Sequence, residues 1–269
     1  MTILVTGATA NIGRRVVDHL VAAGAGPVRA LTVDPGRAAL PAGVEVARGS
    51  LRRPGTLPAA FAGVDRMYLA PTPEGSADAL RLARDAGVTR VVDLSGEPVT
   101  WWGAVSSAVE DSGLAWTHLW PGDFMENSLG WAAQVAATRT VREPWPHGRS
   151  APIAMDDIAR VAASLLLSGD HVGAALSLTG PEVLTRVELA DRIGDAVGAP
   201  VEFVTVTRDE AVAGLAGEMG EDAAWYVDTI LAGCVDNPVR ANRLVEDVTG
   251  RPATTFAAWA RANATTFAG

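Results

Sequence analysis

Ile3, Leu4 and Val5 form a short apolar run that stops at Thr6-Gly7, and from Arg14 to Ala23 apolar residues return at helical spacing. The first pattern predicts a buried strand and the second an amphipathic helix. The alternation then repeats. Residues 28–33, 44–47, 66–70, 90–94 and 115–119 read as further strands, and residues 77–86 as a helix with Leu80, Leu82 and Ala83 near its buried face and Gly87 closing it. Strands separated by helices at this spacing imply right-handed crossovers and a parallel sheet, with ligand at the carboxyl ends of the strands. The fold class is therefore α/β, a doubly wound parallel sheet with a smaller C-terminal α/β lobe.

The second half continues the pattern more weakly. Asp156 reads as an N-cap before Ile158, Val161, Ala162, Leu165 and Leu166. Residues 175–179 and 201–206 are short strands on either side of a helix, 186–197, whose Leu189, Ile193 and Val197 share a face. Residues 222–231, with Trp225, Tyr226 and Ile230, are suited to cover the cleft as a lid, and Phe256, Trp259 and Ala260 anchor a last helix. The expected division is 1–150 for a dinucleotide-binding domain, with 151–180 partly returning to it, and 181–269 for the smaller lobe.

The turn Thr6-Gly7-Ala8-Thr9-Ala10-Asn11-Ile12-Gly13 joins the first strand to the first helix. A glycine there permits the sharp turn, a small residue lets backbone approach a pyrophosphate, and the last glycine lets helix pack on strand. The helix start then offers free N–H groups and a positive dipole end. Gly7, Thr9, Ala10, Asn11, Ile12 and Gly13 are thus expected to hold the phosphates of NADP or NAD, although the Ala10 methyl narrows the space. About twenty residues past such a motif a dinucleotide fold reads the adenosine ribose. Asp34 can accept from a ribose 2′-hydroxyl, which favours NAD, or else cap the turn before Pro35; Arg37 or Arg14 can pair a 2′-phosphate, which favours NADP. Ser50 and Leu51 are placed at the adenine, Ala70 and Pro71 along the middle of the cofactor, and Ser95 at the end of the fifth strand.

Composition narrows the class. The 269 residues carry 22 basic and 31 acidic side chains, a net charge of −9, which argues against nucleic acid and anionic membrane as partners. Every basic residue is arginine, so chemistry that needs a lysine amine is excluded. Cys234 is the one cysteine, no spacing among the four histidines resembles a metal site, and a reducing, cytoplasmic setting is expected. No apolar run approaches the ~18 to 20 residues that span a bilayer, and the first strand follows Met1-Thr2 with no room for a signal peptide.

The glycine turn through Arg14, Val91-Val92-Asp93-Leu94-Ser95, and the stretch from Ser112 through Thr117-His118-Leu119-Trp120-Pro121-Gly122-Asp123-Phe124-Met125-Glu126-Asn127 together resemble the NmrA-like branch of the atypical short-chain dehydrogenase/reductases. Asp156-Asp157-Ile158-Ala159, Leu178-Thr179-Gly180-Pro181-Glu182 and Thr249-Gly250-Arg251-Pro252 extend the likeness along nearly the whole chain. The resemblance implies an NAD(P)-binding Rossmann domain and a C-terminal lobe that closes a substrate cleft. This sequence departs from the family's habit at Ala10, Val33, Ser50, Trp102 and Trp120, each change removing a polar or permissive feature near the expected cofactor path or cleft.

Ordinary short-chain reductases protonate their product with a tyrosine tuned by a lysine four residues on. Here the tyrosines are Tyr68 and Tyr226, with Thr72 and Ile230 at the lysine position, so that dyad is absent. The catalytic candidates are Asp123, Trp102, His147 and Tyr226. Asp123 follows the sixth strand and is either an acid or base, or the N-cap of the segment after it. His147 lies on a loop, where an imidazole is a candidate acid or base. Trp101 and Trp102, adjacent in a loop, are hard to bury together and suggest an aromatic substrate. The leading expectation is an NAD(P)H-dependent reductase of an apolar, aromatic carbonyl or quinone, in bacterial secondary metabolism by its arginine-only, alanine- and glycine-rich composition. Two alternatives stand beside it: a cofactor-independent cyclase, isomerase or lyase, and a non-catalytic dinucleotide-binding redox sensor.

Overall fold

Continuous apolar strands need cover on both faces, and the chain supplies it by returning helices to the sheet from distant stretches. The computed structural model describes residues 1–236 and 240–269. Among these the strands are β1 (Ile3–Val5), β2 (Val28–Thr32), β3 (Glu45–Arg48), β4 (Arg66–Leu69), β5 (Arg90–Leu94), β6 (Ala115–Pro121), β7 (Thr140–Glu143), β8 (Arg149–Ser150), β9 (Ala174–Leu178), β10 (Leu184–Thr185) and β11 (Glu202–Thr205).

The chain divides into two units. The first comprises Met1–Pro121, Met155–Leu178 and Leu244–Arg251. Its seven-stranded sheet has the order β3-β2-β1-β4-β5-β6-β9, parallel throughout. This is the doubly wound arrangement expected, with the order reversing between β1 and β4, where ligands bind at strand carboxyl ends. Ile3, Leu4 and Val5 are wholly buried at its centre. The helix Asn11–Ala22 buries Ile12, Gly13, Val16, Val17 and Leu20 and packs on the helix Met155–Ser168. It begins three residues before the expected start, because the last glycine of the turn is already helical. A second apolar layer, with Phe61, Met67, Leu80, Val91 and Val105, covers the other helices' side of the sheet. Asp156 is not an N-cap: it lies inside the first turn of its helix, and its Oδ1 is 3.0 Å from His19 Nε2. An opposing ring nitrogen on the neighbouring helix holds the carboxylate instead, and that bond is the main reason its pKa is lowered.

The second unit comprises Gly122–Ala154, Thr179–Arg243 and Pro252–Gly269. Residues 122–150 therefore group with it rather than with the dinucleotide-binding part, and Leu244–Arg251 goes the other way. It contains two short two-stranded pairings, β7 with β11 in parallel and β8 with β10 antiparallel. Its core gathers Trp131, Val135, Leu189, Ile193, Phe256, Trp259 and Phe267 around the helix Arg186–Val197. That helix has the expected bounds for a local reason. Thr185 Oγ1 accepts from the Glu188 backbone N–H, the Glu188 carboxylate accepts from the Thr185 N–H, and Gly198 ends the helix at φ 73°. Thr185→Ala is expected to cost about 1 kcal/mol, read as a lowered denaturation midpoint with unchanged slope. The segment 222–231 is an α-helical turn, Asp222–Trp225, that widens into a π-helical stretch, Tyr226–Leu231. The last helix, Phe256–Ala262, is followed by another, Ala264–Ala268.

Candidate functional site

Each unit carries its own concave site. In the first, a crevice of about 220 Å³ opens where β1, β2, β3 and β4 end, lined by Gly7, Thr9, Thr32, Ser50, Leu51 and Ala70 among others. Five of those six were expected along the cofactor path. Gly7 makes the turn at φ +58°, and a Cβ on it would stand 2.8 Å from the Ala70 Cβ. Gly13 is tighter still, since a Cβ there would fall 2.2 Å from the Gly7 carbonyl oxygen. The two glycines thus let helix and strand meet at backbone distance, as a phosphate-binding turn requires.

Ala10 is the exposed N-cap residue of the helix, at φ −88° and ψ 169°, a conformation alanine adopts freely. It donates no side-chain cap, and the first helical turn has no acidic residue, so the N–H groups there face outward without a carboxylate to compete for an anion. Asn11 is exposed, while Ile12 and Gly13 point into the core. The residues present fit a dinucleotide's phosphates.

The ribose end is less closed. Val33 is 65% exposed, and Asp34 and Arg37 sit on the exposed turn Pro35–Arg37. Asp34 opens that turn through its backbone carbonyl, which accepts from the Arg37 N–H, and not through its carboxylate. Arg14 is already committed, to Asp18 and to the Ala39 carbonyl. Arg52, which sequence reasoning passed over, lines the crevice and is loosely paired with Glu74 at 3.7 Å. Pro71 is half-buried beside Ala70, and Ser95 is buried at the end of β5.

The second unit holds a larger cavity, about 440 Å³, lined by Trp131, Glu143, Leu215, Met219, Tyr226 and Leu231 with their neighbours. Its Glu143 belongs to a buried ion pair. Arg186 donates to Glu143 Oε2 at 2.9 and 2.6 Å, Trp131 Nε1 donates to Glu143 Oε1 at 2.6 Å, and the guanidinium lies 4.7 Å from the Trp131 ring centre. Burial disfavours the Arg186 charge, but the Glu143 carboxylate outweighs it and raises the pKa. Tyr226 and Cys234 lie within the same field, both with pKa values raised, chiefly by burial. These long-range partners, 43 residues apart for Arg186 and Glu143, left no local signal in the sequence.

Of the catalytic candidates, Asp123 and Tyr226 share this unit and the Arg186 field. Asp123 is not a helix cap; Phe124 takes that position, and Asp123 Oδ1 instead accepts from Asn127 Nδ2 at 2.8 Å. His147 is exposed on the loop between β7 and β8. Trp102 belongs to the first unit, at 37% exposure, its ring tilted 30° to that of the more exposed Trp101 with ring centres 4.9 Å apart. Trp131 is a core residue at 4% exposure. Among the described residues no group of three or more His, Cys, Asp or Glu side chains could hold a metal ion, and no helix is long and apolar enough to cross a membrane.

A family described as NAD(P)H-binding matches residues 7–168, which spans the glycine turn, the crevice and the returning helix. The chain belongs to this family. It is 36% identical to the NAD(P)H azoreductase of Xenophilus azovorans, over 98% of this chain and 99% of that one. It is 32% identical to the (4-alkanoyl-5-oxo-2,5-dihydrofuran-3-yl)methyl phosphate reductase of Streptomyces griseus, over 99% of each. Among solved structures, an NADPH-dependent quinone oxidoreductase from Escherichia coli matches with a TM-score of 0.84 at 23% identity, covering 97% of this chain and 98% of that one. The triphenylmethane reductase of Citrobacter matches equally, TM-score 0.84 at 22% identity over 98% of this chain and all of the other. At these identities the solved structures speak for the fold, and the NmrA-like resemblance agrees with all four.

Proposed function

We propose that the chain is an NAD(P)H-dependent reductase of an apolar, conjugated and aromatic acceptor such as a quinone, an aromatic carbonyl or an azo compound. The observation that carries the reading is the kinship with the NAD(P)H azoreductase along nearly the whole chain, joined to a crevice whose glycines and uncapped helix start fit the cofactor. Neither the cofactor-independent enzyme nor the redox sensor gains support from the reductases reported above.

A bound dinucleotide supplies the hydride. The chain's residues do the rest. Gly7, Thr9 and the backbone of Ala10–Gly13 hold the phosphates; Asp34, or Arg37 with Arg52, meets the ribose; Ser50, Leu51, Ala70 and Pro71 line the remaining path, and Ser95 ends it. The cavity of the second unit, largely apolar and within the range of about 300 to 1,000 Å³ usual for small-molecule sites, suits a flat acceptor laid against Tyr226 and Leu215. Asp123, oriented by Asn127, and His147 are the polar groups we assign to that unit, and Trp102 is the aromatic candidate of the first unit. The azo bond and the unsaturated furanone ring in the relatives' names are both polarised double bonds that accept hydride without a strong acid, which suits a chain lacking the tyrosine–lysine dyad. We infer a cytoplasmic setting from the free thiol of Cys234, and secondary metabolism from composition.

The test is a calorimetric titration with NADPH and with NADH, followed by cofactor consumption with a quinone and with an azo dye. Binding on the order of micromolar with turnover on one acceptor is expected. Absence of binding at millimolar cofactor would overturn the proposal.

A further inference from the structure

A flat apolar acceptor would fill the cavity of the second unit, but the charged side chains on its wall add a further demand. Glu143 and Glu210 both line it, and both are engaged. Glu143 Oε2 accepts from Arg186 and its Oε1 from Trp131. Glu210, on the helix Arg208–Met219, closes a capping box in which its Oε2 accepts from the Thr207 backbone N–H and hydroxyl at 2.8 and 2.9 Å. The two carboxylates serve the fold.

Arg142, on β7, is the third charged residue of the lining. Its side chain is exposed and makes no hydrogen bond or ion pair among the described residues. The Thr207 backbone and hydroxyl bonds hold the Glu210 carboxyl below its usual range, and the Arg142 charge adds to them, so the guanidinium lies near that part of the wall. Two neutral donors stand in the same lining. Gln134 Oε1 accepts from the Arg142 backbone N–H at 3.0 Å, which fixes the carboxamide and leaves its amide protons without a partner among the described residues. The Tyr226 hydroxyl also makes no hydrogen bond among them, and burial above all raises its pKa and keeps its proton in place. At a net charge of −9 the molecule as a whole repels anions, so an unpaired guanidinium beside uncommitted donors is a local exception to its field. At the wall of an apolar cavity whose carboxylates are engaged, it is the partner an anion requires.

We propose that the acceptor carries an anionic group, a sulfonate, carboxylate or phosphate borne on a flat apolar body, and that Arg142 pairs with it. This rests on the reading of the cavity as the acceptor site and narrows that reading to a substrate class. The guanidinium fork matches two oxygens of such a group at once, and the Gln134 amide protons are placed for a third bond. The apolar body lies against Leu215, Met219 and Leu231, which a small inorganic anion would not need. Arg142 takes no part in hydride or proton transfer; it decides which acceptors are held. Every residue invoked lies in the second unit.

Two fluorescent probes test the site in the cofactor-free protein: anilinonaphthalene sulfonate, and phenylnaphthylamine, which has the same rings and no sulfonate. Arg142→Met is expected to weaken the sulfonate about tenfold and to leave the uncharged probe unchanged. Arg142→Lys should keep most of the sulfonate affinity, and Arg261→Met, at an exposed arginine of the same unit, should change neither probe. Gly214→Phe, at a lining position where a Cβ meets nothing within 4 Å, should block both by filling the cavity. In turnover, Arg142→Met should raise KM about tenfold for a sulfonated azo dye at unchanged kcat, with the uncharged parent dye unaffected. Equal loss of both probes in Arg142→Met, loss of neither, or sulfonate binding that survives Gly214→Phe would overturn the anion site and leave the reductase standing. Failure of the wild-type protein to oxidise NADPH or NADH with either dye or a quinone would instead bring down the reductase reading, and this proposal with it, whatever the probes show.

Discussion

Gly13→Ala is expected to destabilise the protein by about 1 to 3 kcal/mol and to abolish dinucleotide binding, although it adds a single methyl group. The new carbon would stand 2.2 Å from the Gly7 carbonyl oxygen and 2.7 Å from its carbonyl carbon. Both are backbone atoms of the turn, so no side chain can rotate aside. The helix must lift from the strand, and the N–H groups at its start leave the position at which they would meet a phosphate. Gly7→Ala should be nearly as damaging by a different route. Its φ of +58° strains any L side chain, and the Cβ meets Ala70 at 2.8 Å. Chemical denaturation and cofactor titration on the same samples check both halves. A Gly13→Ala variant that bound NADPH or NADH normally would show that the turn is not the phosphate site.

Glu143→Ala is expected to cost about 3 to 5 kcal/mol, the largest effect on folding among the substitutions considered. Arg186 would be left at 8% exposure without its counter-ion, and the Trp131 indole N–H would lose its acceptor. The arginine's own preference for staying charged removes the escape of deprotonation. Replacing both partners, Glu143→Leu with Arg186→Met, should recover much of the loss, because two apolar side chains need no pairing. The two single variants and the double form a cycle measurable by urea unfolding. A Glu143→Ala variant as stable as wild type would show that water reaches the guanidinium. Because Glu143 lines the cavity, the double variant should also weaken acceptor binding while leaving dinucleotide affinity unchanged.

The parallel sheet was legible because its strands are continuous apolar runs whose partners follow in order. β1 and β5 fall at the residues expected, and the helix Arg186–Val197 does so because its cap is written in Thr185 and Glu188. The crevice was legible for a related reason: Gly7, Thr9, Ser50, Leu51 and Ala70 lie at the ends of strands whose order the pattern had fixed. Features set by distant partners were not legible. Asp156 looks like a cap until His19, 137 residues away, is placed against it. Asp123 looks like one until Asn127 turns back to hold it. Asp93 and His118, 25 residues apart, meet only once β5 and β6 pair, so no local pattern showed their contact.

The interleaving of the two units bears on how the chain is made. It passes from one unit to the other at residues 121/122, 154/155, 178/179, 243/244 and 251/252. A nascent chain that has released its first 121 residues holds six strands of the large sheet but neither β9, which closes the edge of β6, nor the helix Met155–Ser168, which covers β4, β5 and β6. An open strand edge and an uncovered apolar face would wait on the ribosome until that later stretch emerges. Residues Leu244–Arg251 belong to the same unit, so it is complete only once they have emerged. A fragment cut after the sixth strand is therefore expected to expose that edge and that face, and a stop codon anywhere before residue 251 removes part of both units at once.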